Sequence, residues 1–421
     1  MREFLQKNAF VKNVLTLVSG TAIAQAIPIL AAPVLTRLYT PADFGVYGLF
    51  TAISIILVSV VTLRYEATIV LPKEEDDAYH LLITALGITF GISAIVMILV
   101  TLFGEQFAAL LKSPDIAPVL FWVPLYICAS GIFQSLLYWS IRTSRFSAIS
   151  KAKILQSGAL VAGQTTLFGL LGSAMGLVAG HIIGIVAAVI AFARYGRVPR
   201  RAVDINRLRR NIATYSDYPK YSALPSLLDA FTIQAVLFFV TRSYDLAMVG
   251  FFALAMRILA APSALISTAI GQVYFQRISE LVHEDPSKLR AEILATTKKL
   301  VPFSVLIFAP VFFFGEFLFG LVFGAEWTQA GHYAETLSIV LAVRFIVSPL
   351  STVFGVTNTL KLGAIWKVIY FVGSVVVLYY ATQFEIETFL YIFALNEVVM
   401  YALYYILILY SSARYQHRGL K

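Results

Sequence analysis

Twelve long apolar segments occupy most of the chain, and they constrain its fold more than any other feature of the sequence. A bilayer core about 30 Å thick requires about 20 apolar residues in helical form. The segments lack the apolar–polar alternation of a transmembrane barrel, so helices are the remaining way to satisfy the backbone in lipid. We therefore predict an all-α integral membrane protein with about twelve transmembrane helices. The predicted spans are 13–36, 43–63, 79–103, 117–140, 154–172, 174–194, 219–241, 246–274, 299–323, 334–356, 363–382 and 387–411.

The composition agrees with a lipid environment. Hydrophobic residues make up 59% of the 421 residues and charged residues 13%, whereas a soluble domain carries about 25% charged residues. The net charge of +9 does not indicate nucleic-acid binding, because the basic residues lie in short segments between the apolar runs, where orientation signals are expected. The single cysteine, Cys128, excludes an intramolecular disulfide.

The distribution of Lys and Arg predicts the orientation in the membrane. With the N-terminus inside, 27 of the 32 basic residues fall in cytoplasmic segments, and the outer loops hold only Arg37, Lys112 and Arg242. Cytoplasmic loops are enriched in Lys and Arg, and a miscounted helix would invert every later loop. The asymmetry therefore predicts that both termini are cytoplasmic.

An internal repeat divides the chain in two. Residues 36–45 (TRLYTPADFG) and 241–250 (TRSYDLAMVG) match at five of ten positions, and each copy lies at the outer end of a span. Both copies have the same orientation, which predicts two six-helix bundles related by a pseudo-twofold axis along the membrane normal. We expect an N-terminal lobe at 1–198, a basic cytoplasmic linker at 199–218 and a C-terminal lobe at 219–421.

Ionisable residues inside the predicted spans are candidates for function, because a charge in mid-bilayer is costly. Arg257 and Arg344 are expected to face a central cavity and bind an anionic group, with Asp229, Glu397 or His181 coupling to an ion or proton. The alternative is that they form buried structural pairs, Arg257 with Asp229 and Arg344 with Glu397. Both interpretations stay open at the level of the sequence.

Four further charged residues lie near the ends of spans. Arg64 and Glu66 follow the second span on the predicted inner side, where a long side chain reaches the interface at low cost. Arg37 and Arg242 occupy the same position in the two copies of the repeat. All four are candidates for a gate or a structural tie.

Enzyme motifs are absent from the sequence. It contains no G-x-x-x-x-G-K-[ST] phosphate-binding loop, no H-E-x-x-H and no paired cysteines. The acidic run 74–77 is better explained as the solvated start of a helix than as a metal site. We therefore predict no cofactor, no metal and no enzymatic activity.

Two segments resemble a known family of membrane proteins. Residues 33–45 (PVLTRLYTPADFG) and 63–72 (LRYEATIVLP) are similar to the corresponding stretches of Wzx-type polysaccharide flippases. These belong to the multidrug/oligosaccharidyl-lipid/polysaccharide exporter superfamily. The resemblance implies two six-helix bundles in a V and alternating access driven by H⁺ or Na⁺ in the bacterial inner membrane.

The resemblance also implies a substrate, an undecaprenyl-pyrophosphate-linked oligosaccharide for O-antigen, capsule or a related surface glycan. Membrane lipid and other glycan-assembly proteins are the further partners it implies. Two alternatives stay open. A drug or cation antiporter of the same superfamily would have a cavity dominated by acids, and a membrane-embedded glycan polymerase or ligase would carry a large outer loop.

Overall fold

The computed structural model describes the backbone of residues 2–171, 173–199 and 201–419. Side chains are described for 16–171, 173–199, 201–261, 270–271, 274–282 and 284–415. The described residues form helices joined by short turns and contain no β-strand. The predicted all-α class is confirmed.

Each of the twelve predicted spans overlaps a helix among the described residues. Nine helical segments among the described residues are long and apolar enough to cross a membrane. A tenth is a broken span, in which Pro114–Leu120 and Val123–Arg142 meet at 46°. The other two predicted spans, 154–172 and 246–274, overlap the helices Phe146–Thr166 and Leu246–Glu284. The chain is therefore a multi-pass membrane protein with the predicted order of helices.

The chain divides into two compact units, of which the first comprises residues 1–234 and 245–247. Its membrane-spanning helices are followed by a short helix in the basic segment, which we call the linker helix. The helices of this unit are α1 (Arg2–Leu38), α2 (Pro41–Val58), α3 (Glu75–Leu110), α4 (Val123–Arg142), α5 (Phe146–Thr166), α6 (Ser173–Tyr195) and the linker helix (Ile205–Thr214).

The second unit comprises residues 235–244 and 248–421. The division falls inside the helix Leu224–Ser243, between Gln234 and Ala235, so the first unit also includes the basic segment and the first part of this helix. The lobe boundaries expected from the sequence remain a prediction. The remaining helices are α7 (Leu224–Ser243), α8 (Leu246–Glu284), α9 (Leu289–Phe323), α10 (Thr328–Val347), α11 (Leu360–Ala381) and α12 (Ile386–Gly419).

Glycines allow one pair of helices in each unit to approach closely. In the first unit, a Cβ on Gly163 of α5 would lie 2.8 Å from the Cα of Gly180 in α6. In the second, a Cβ on Gly331 of α10 would lie 2.3 Å from the carbonyl oxygen of Gly315 in α9. Helices in a membrane associate through such close packing, since burial away from lipid supplies no hydrophobic gain.

The acidic start of α3 binds the basic segment of the same unit. Arg201 pairs with Glu75 at 3.1 Å and also with Asp76, while Arg207 in the linker helix lies 3.3 Å from Glu74. The helix begins at Glu75, as the acidic run predicts, because negative charge is favourable at a helix N-terminus. The run is therefore ion-paired as well as solvated.

Candidate functional site

A buried ion pair joins the last turn of α10 to α12 in the second unit. Arg344 in α10 donates from Nε to Oε2 of Glu397 in α12 at 3.0 Å, and from Nη2 to the same oxygen at 2.5 Å. The side chain of Arg344 is 15% exposed and that of Glu397 is 3% exposed. This is the structural pair that the sequence left open as an alternative to a cavity role.

Tyr370 in α11 completes the hydrogen bonds of this pair. Its hydroxyl donates to Oε1 of Glu397 at 2.8 Å and accepts from Nη2 of Arg344 at 3.0 Å. Both carboxylate oxygens of Glu397 are therefore satisfied, as a buried charge requires. We call Arg344, Tyr370 and Glu397 the charged triad.

Aromatic rings cover the charged triad. The guanidinium of Arg344 lies 5.5 Å from the ring centroid of Tyr401, within the range of a cation–π interaction. Trp366 stacks on Tyr370 at 4.9 Å and on Tyr404 at 3.8 Å, and its indole N–H donates to the carbonyl of Met400. These contacts hold Tyr370 in position and keep the triad away from lipid.

Chemically, the triad joins one acid to one base that cannot lose its charge. Arg stays protonated at any accessible pH, so the carboxylate of Glu397 is its counter-charge in the triad. Neutralising Glu397, by a proton or by a bound cation, would remove the counter-charge of Arg344. The guanidinium would then be available to another anion, and its fork of N–H groups suits a phosphate.

The first unit holds a polar cluster at His181 in α6. Its Nδ1 lies 2.6 Å from the hydroxyl of Tyr47 in α2, and its Nε2 lies 3.0 Å from the hydroxyl of Tyr126 in α4. Both ring nitrogens thus have partners on other helices. Because a hydroxyl can donate or accept, this network can tolerate either charge state of the imidazole.

Arg64 and Glu66 form an ion pair at the end of the second predicted span. Arg64 Nη1 lies 3.2 Å from Glu66 Oε1, and Thr62 donates to the other carboxylate oxygen of Glu66. Arg64 has a φ of 67°, in the left-handed region. The turn brings Arg64 back over Glu66, which is 1% exposed. This geometry is that of a structural tie within the first unit.

The remaining predicted residues are not brought into the charged triad. Arg37 donates to the carbonyl of Pro33 on its own helix at 2.5 Å, and Arg242 is exposed in the last turn of α7. Asp229 in α7 and Arg257 in α8 are half-buried. Their roles as cavity, coupling or gate residues stay predictions.

Sequence reasoning named Tyr370 only as a possible aromatic wall of the cavity, and did not connect any tyrosine with these polar sites. Tyr370, Tyr47 and Tyr126 lie in apolar runs where tyrosine is common, so only their proximity to a charge or an imidazole identifies them. It also omitted a cluster in the second unit, where His332 lies 2.8 Å from Glu316 and 3.8 Å from Glu387.

Comparison with known families gives a match over most of the chain. The family described as polysaccharide biosynthesis protein matches residues 34–332. This range covers both copies of the repeat and, except for residue 33, the two segments that resemble the polysaccharide flippases. A search of curated proteins finds no match.

Solved structures of transporters have the same fold. The lipid II flippase MurJ in an inward closed conformation superposes with a TM-score of 0.73 at 10% identity, covering 96% of this chain and 91% of that chain. An inward-facing multidrug resistance MATE family transporter of the MOP superfamily gives 0.61 at 14% identity, covering 96% of each chain. A MOP superfamily transporter from Pyrococcus furiosus gives 0.58 at 13%, covering 96% and 95%. The all-α transporter fold that the resemblance implied is confirmed.

Proposed function

Because the chain belongs to the polysaccharide biosynthesis protein family, we propose that it flips a lipid-linked oligosaccharide across the bacterial inner membrane. The substrate is an undecaprenyl-pyrophosphate-linked repeat unit of O-antigen, capsule or a related surface glycan. Transfer proceeds from the inner to the outer leaflet by alternating access. Both termini lie in the cytoplasm, in accordance with the Lys and Arg asymmetry of the loops.

The observation that carries this proposal is the charged triad. A buried carboxylate held by an arginine in a membrane span is costly and is a marker of an ion or substrate pathway. Glu397 receives H⁺ or Na⁺, and Arg344 then exchanges the carboxylate for the pyrophosphate. Arg257 supplies a second cation to the same anion, and Asp229 and His181 are further coupling groups.

The decisive experiment is deletion in a bacterial host whose surface glycan is known. We expect loss of the surface glycan and accumulation of lipid-linked repeat units on the inner leaflet, reversed by the wild-type gene. Normal surface glycan after deletion would contradict the proposal. A deletion strain with normal glycan but raised sensitivity to cationic drugs would instead support an antiporter of the same fold.

The site assignment has its own test in the complemented strain. Arg344→Ala and Arg257→Ala should each reduce export while the protein remains in the membrane. Arg209→Ala serves as the matched control, because Arg209 lies exposed on the linker helix. Normal export by both span variants would exclude the arginines from the pathway without affecting the flippase proposal.

A further inference from the structure

A basic pocket lies in the first unit where α5 begins and α6 ends. It has a volume of about 320 Å³ and is formed by residues 144–148, Lys151, Arg194, Tyr195 and Arg197. The positive-inside pattern places this end of both helices at the cytoplasmic surface. We call this cavity the basic pocket.

The basic pocket contains four cationic side chains and no acid. Arg145, Lys151, Arg194 and Arg197 line it, and no Asp or Glu occurs in the sequence between Asp115 and Asp204. None of the four forms an ion pair with an acid among the residues that the structure describes. Four clustered cations without counter-charge repel one another and favour a bound anion.

Other basic residues on this surface have partners within the protein. Arg201, Arg207 and Arg210 all pair with the acidic start of α3. Arg142 donates to backbone carbonyls, including that of Ile69 at 3.2 Å. Three arginines of this surface thus have acidic partners in the protein, which the four cations of the basic pocket lack among the described residues.

Local contacts hold the pocket in shape. Arg145 donates from Nη1 to the carbonyl oxygen of Tyr195 at 3.4 Å, and the ammonium of Lys151 lies 4.8 Å from the centre of the Tyr195 ring. The start of α5 has no side-chain cap. In this turn the N–H of Ala148 donates to the carbonyl of Arg145 at 3.0 Å, so only the N–H groups before it are additional donors at the helix start.

Apolar side chains continue from the pocket toward the membrane interior. Residues four apart share one face of a helix, so Leu155 follows Lys151 along α5, and Ile190 lies one turn deeper than Arg194 on α6. Leu155 is 47% exposed and Ile190 is 59% exposed. A ligand with a charged head and apolar chains matches both surfaces, whereas a free anion would use only the pocket.

We propose that the basic pocket binds the phosphate of an anionic phospholipid in the cytoplasmic leaflet, with the acyl chains along the exposed faces of α5 and α6. Basic pockets at the cytoplasmic ends of transmembrane helices suit such headgroups electrostatically. The lipid supplies the counter-charge that the protein does not provide. This site is separate from the charged triad and does not depend on the proposed flippase activity.

Native mass spectrometry of the full-length detergent-purified protein tests the proposal, with phosphatidylglycerol and phosphatidylcholine as probes. We expect the wild type to retain phosphatidylglycerol in preference to phosphatidylcholine. Lys151→Gln with Arg197→Gln should lower the affinity for phosphatidylglycerol about tenfold or more. The matched control, Lys73→Gln with Arg209→Gln, removes the same charge from exposed sites outside the pocket and should retain the wild-type affinity.

Two further measurements distinguish binding of a lipid from binding of a soluble anion, and loss of the binding site from a folding defect. Inorganic phosphate in excess should fail to displace phosphatidylglycerol, and Lys151→Arg with Arg197→Lys should retain binding. Displacement by phosphate would overturn the lipid assignment in favour of a soluble anion. Equal binding of both lipids, or equal loss of binding in the pocket and control variants, would overturn the site.

Discussion

Tyr39 and Tyr244, which occupy the same position in the two copies of the repeat, make the same pair of contacts in their own units. The hydroxyl of Tyr39 donates to the carbonyl of Gln164 at 2.6 Å, and that of Tyr244 donates to the carbonyl of Phe384 at 2.6 Å. Gln164 lies in the last turn of α5, and Phe384 lies in the connection between α11 and α12.

The ring contacts of the two tyrosines correspond as well. Tyr39 meets Phe168 edge-on at 4.9 Å, and Tyr244 meets Phe389 edge-on at 5.7 Å. Both phenylalanines belong to the hairpin that also supplies the carbonyl acceptor. The tyrosine in the repeat is thus an anchor between the first turn and the last hairpin of each half, which explains why it recurs.

Removing either anchor hydroxyl should destabilise the protein modestly. Tyr39→Phe and Tyr244→Phe each lose one hydrogen bond and leave a carbonyl without that donor, at a cost of about 1 kcal/mol. Thermal unfolding in detergent should therefore shift to a lower temperature in both variants. Tyr221→Phe is the control, since Tyr221 is 74% exposed, and an equal shift in it would argue against the anchor.

Gly176→Ala should disturb the Tyr39 anchor as well, because Gly176 lies against the Tyr39 hydroxyl. A Cβ at Gly176 would lie 2.4 Å from the Tyr39 hydroxyl and 3.3 Å from the carbonyl of Leu167. Such overpacking costs about 1–3 kcal/mol. Tyr39→Phe removes the oxygen that the new Cβ would meet. The double variant should therefore lose less free energy of unfolding than the sum of the losses in the two single variants.

The control for Gly176→Ala is Gly158→Ala. Gly158 lies within α5, and a Cβ there meets no atom within 4 Å. Alanine favours helix over glycine by about 1 kcal/mol, so this variant should be neutral or slightly more stable. Full additivity of Gly176→Ala with Tyr39→Phe would show that the clash lies elsewhere.

Glu397→Ala should be among the most destabilising substitutions in the second unit. It leaves the Arg344 guanidinium buried without its carboxylate, and breaking a buried pair in this way costs about 3–5 kcal/mol. Arg344→Met with Glu397→Met removes both charges and should recover most of the loss. Chemical denaturation of the detergent-purified protein measures this, and a double variant no more stable than Glu397→Ala contradicts the pairing.

Arg207→Gln should lower the stability of the protein only slightly, although Arg207 has three acidic neighbours. Arg207 Nη1 lies 3.3 Å from Glu74, 3.6 Å from Asp76 and 3.8 Å from Asp77. Its side chain is 34% exposed, and exposed pairs contribute about 0–1 kcal/mol. We expect a slight loss of thermal stability that vanishes at about 1 M salt, because the Debye length there is about 3 Å and exposed charges are screened from each other. A loss that persists at high salt would indicate a buried role.

The arrangement of charged residues illustrates what could be predicted and what could not. Hydropathy identifies Arg344 and Glu397 as intramembrane charges, because each interrupts an apolar run long enough to span a bilayer. It cannot decide whether they pair or face a cavity. That outcome depends on the rotation of α10 and α12 about their axes, and a run that is apolar on all sides carries no signal for rotation.

By itself the sequence determined the all-α class, the order of twelve helices, the repeat and the family resemblance, because each depends on composition or spacing along the chain. Only the tertiary structure decided that Tyr370 completes the triad with Arg344 and Glu397. It likewise decided that His181 joins Tyr47 to Tyr126. The physical reason is that the partner of a buried polar group in a bundle is chosen by close packing between helices distant in sequence.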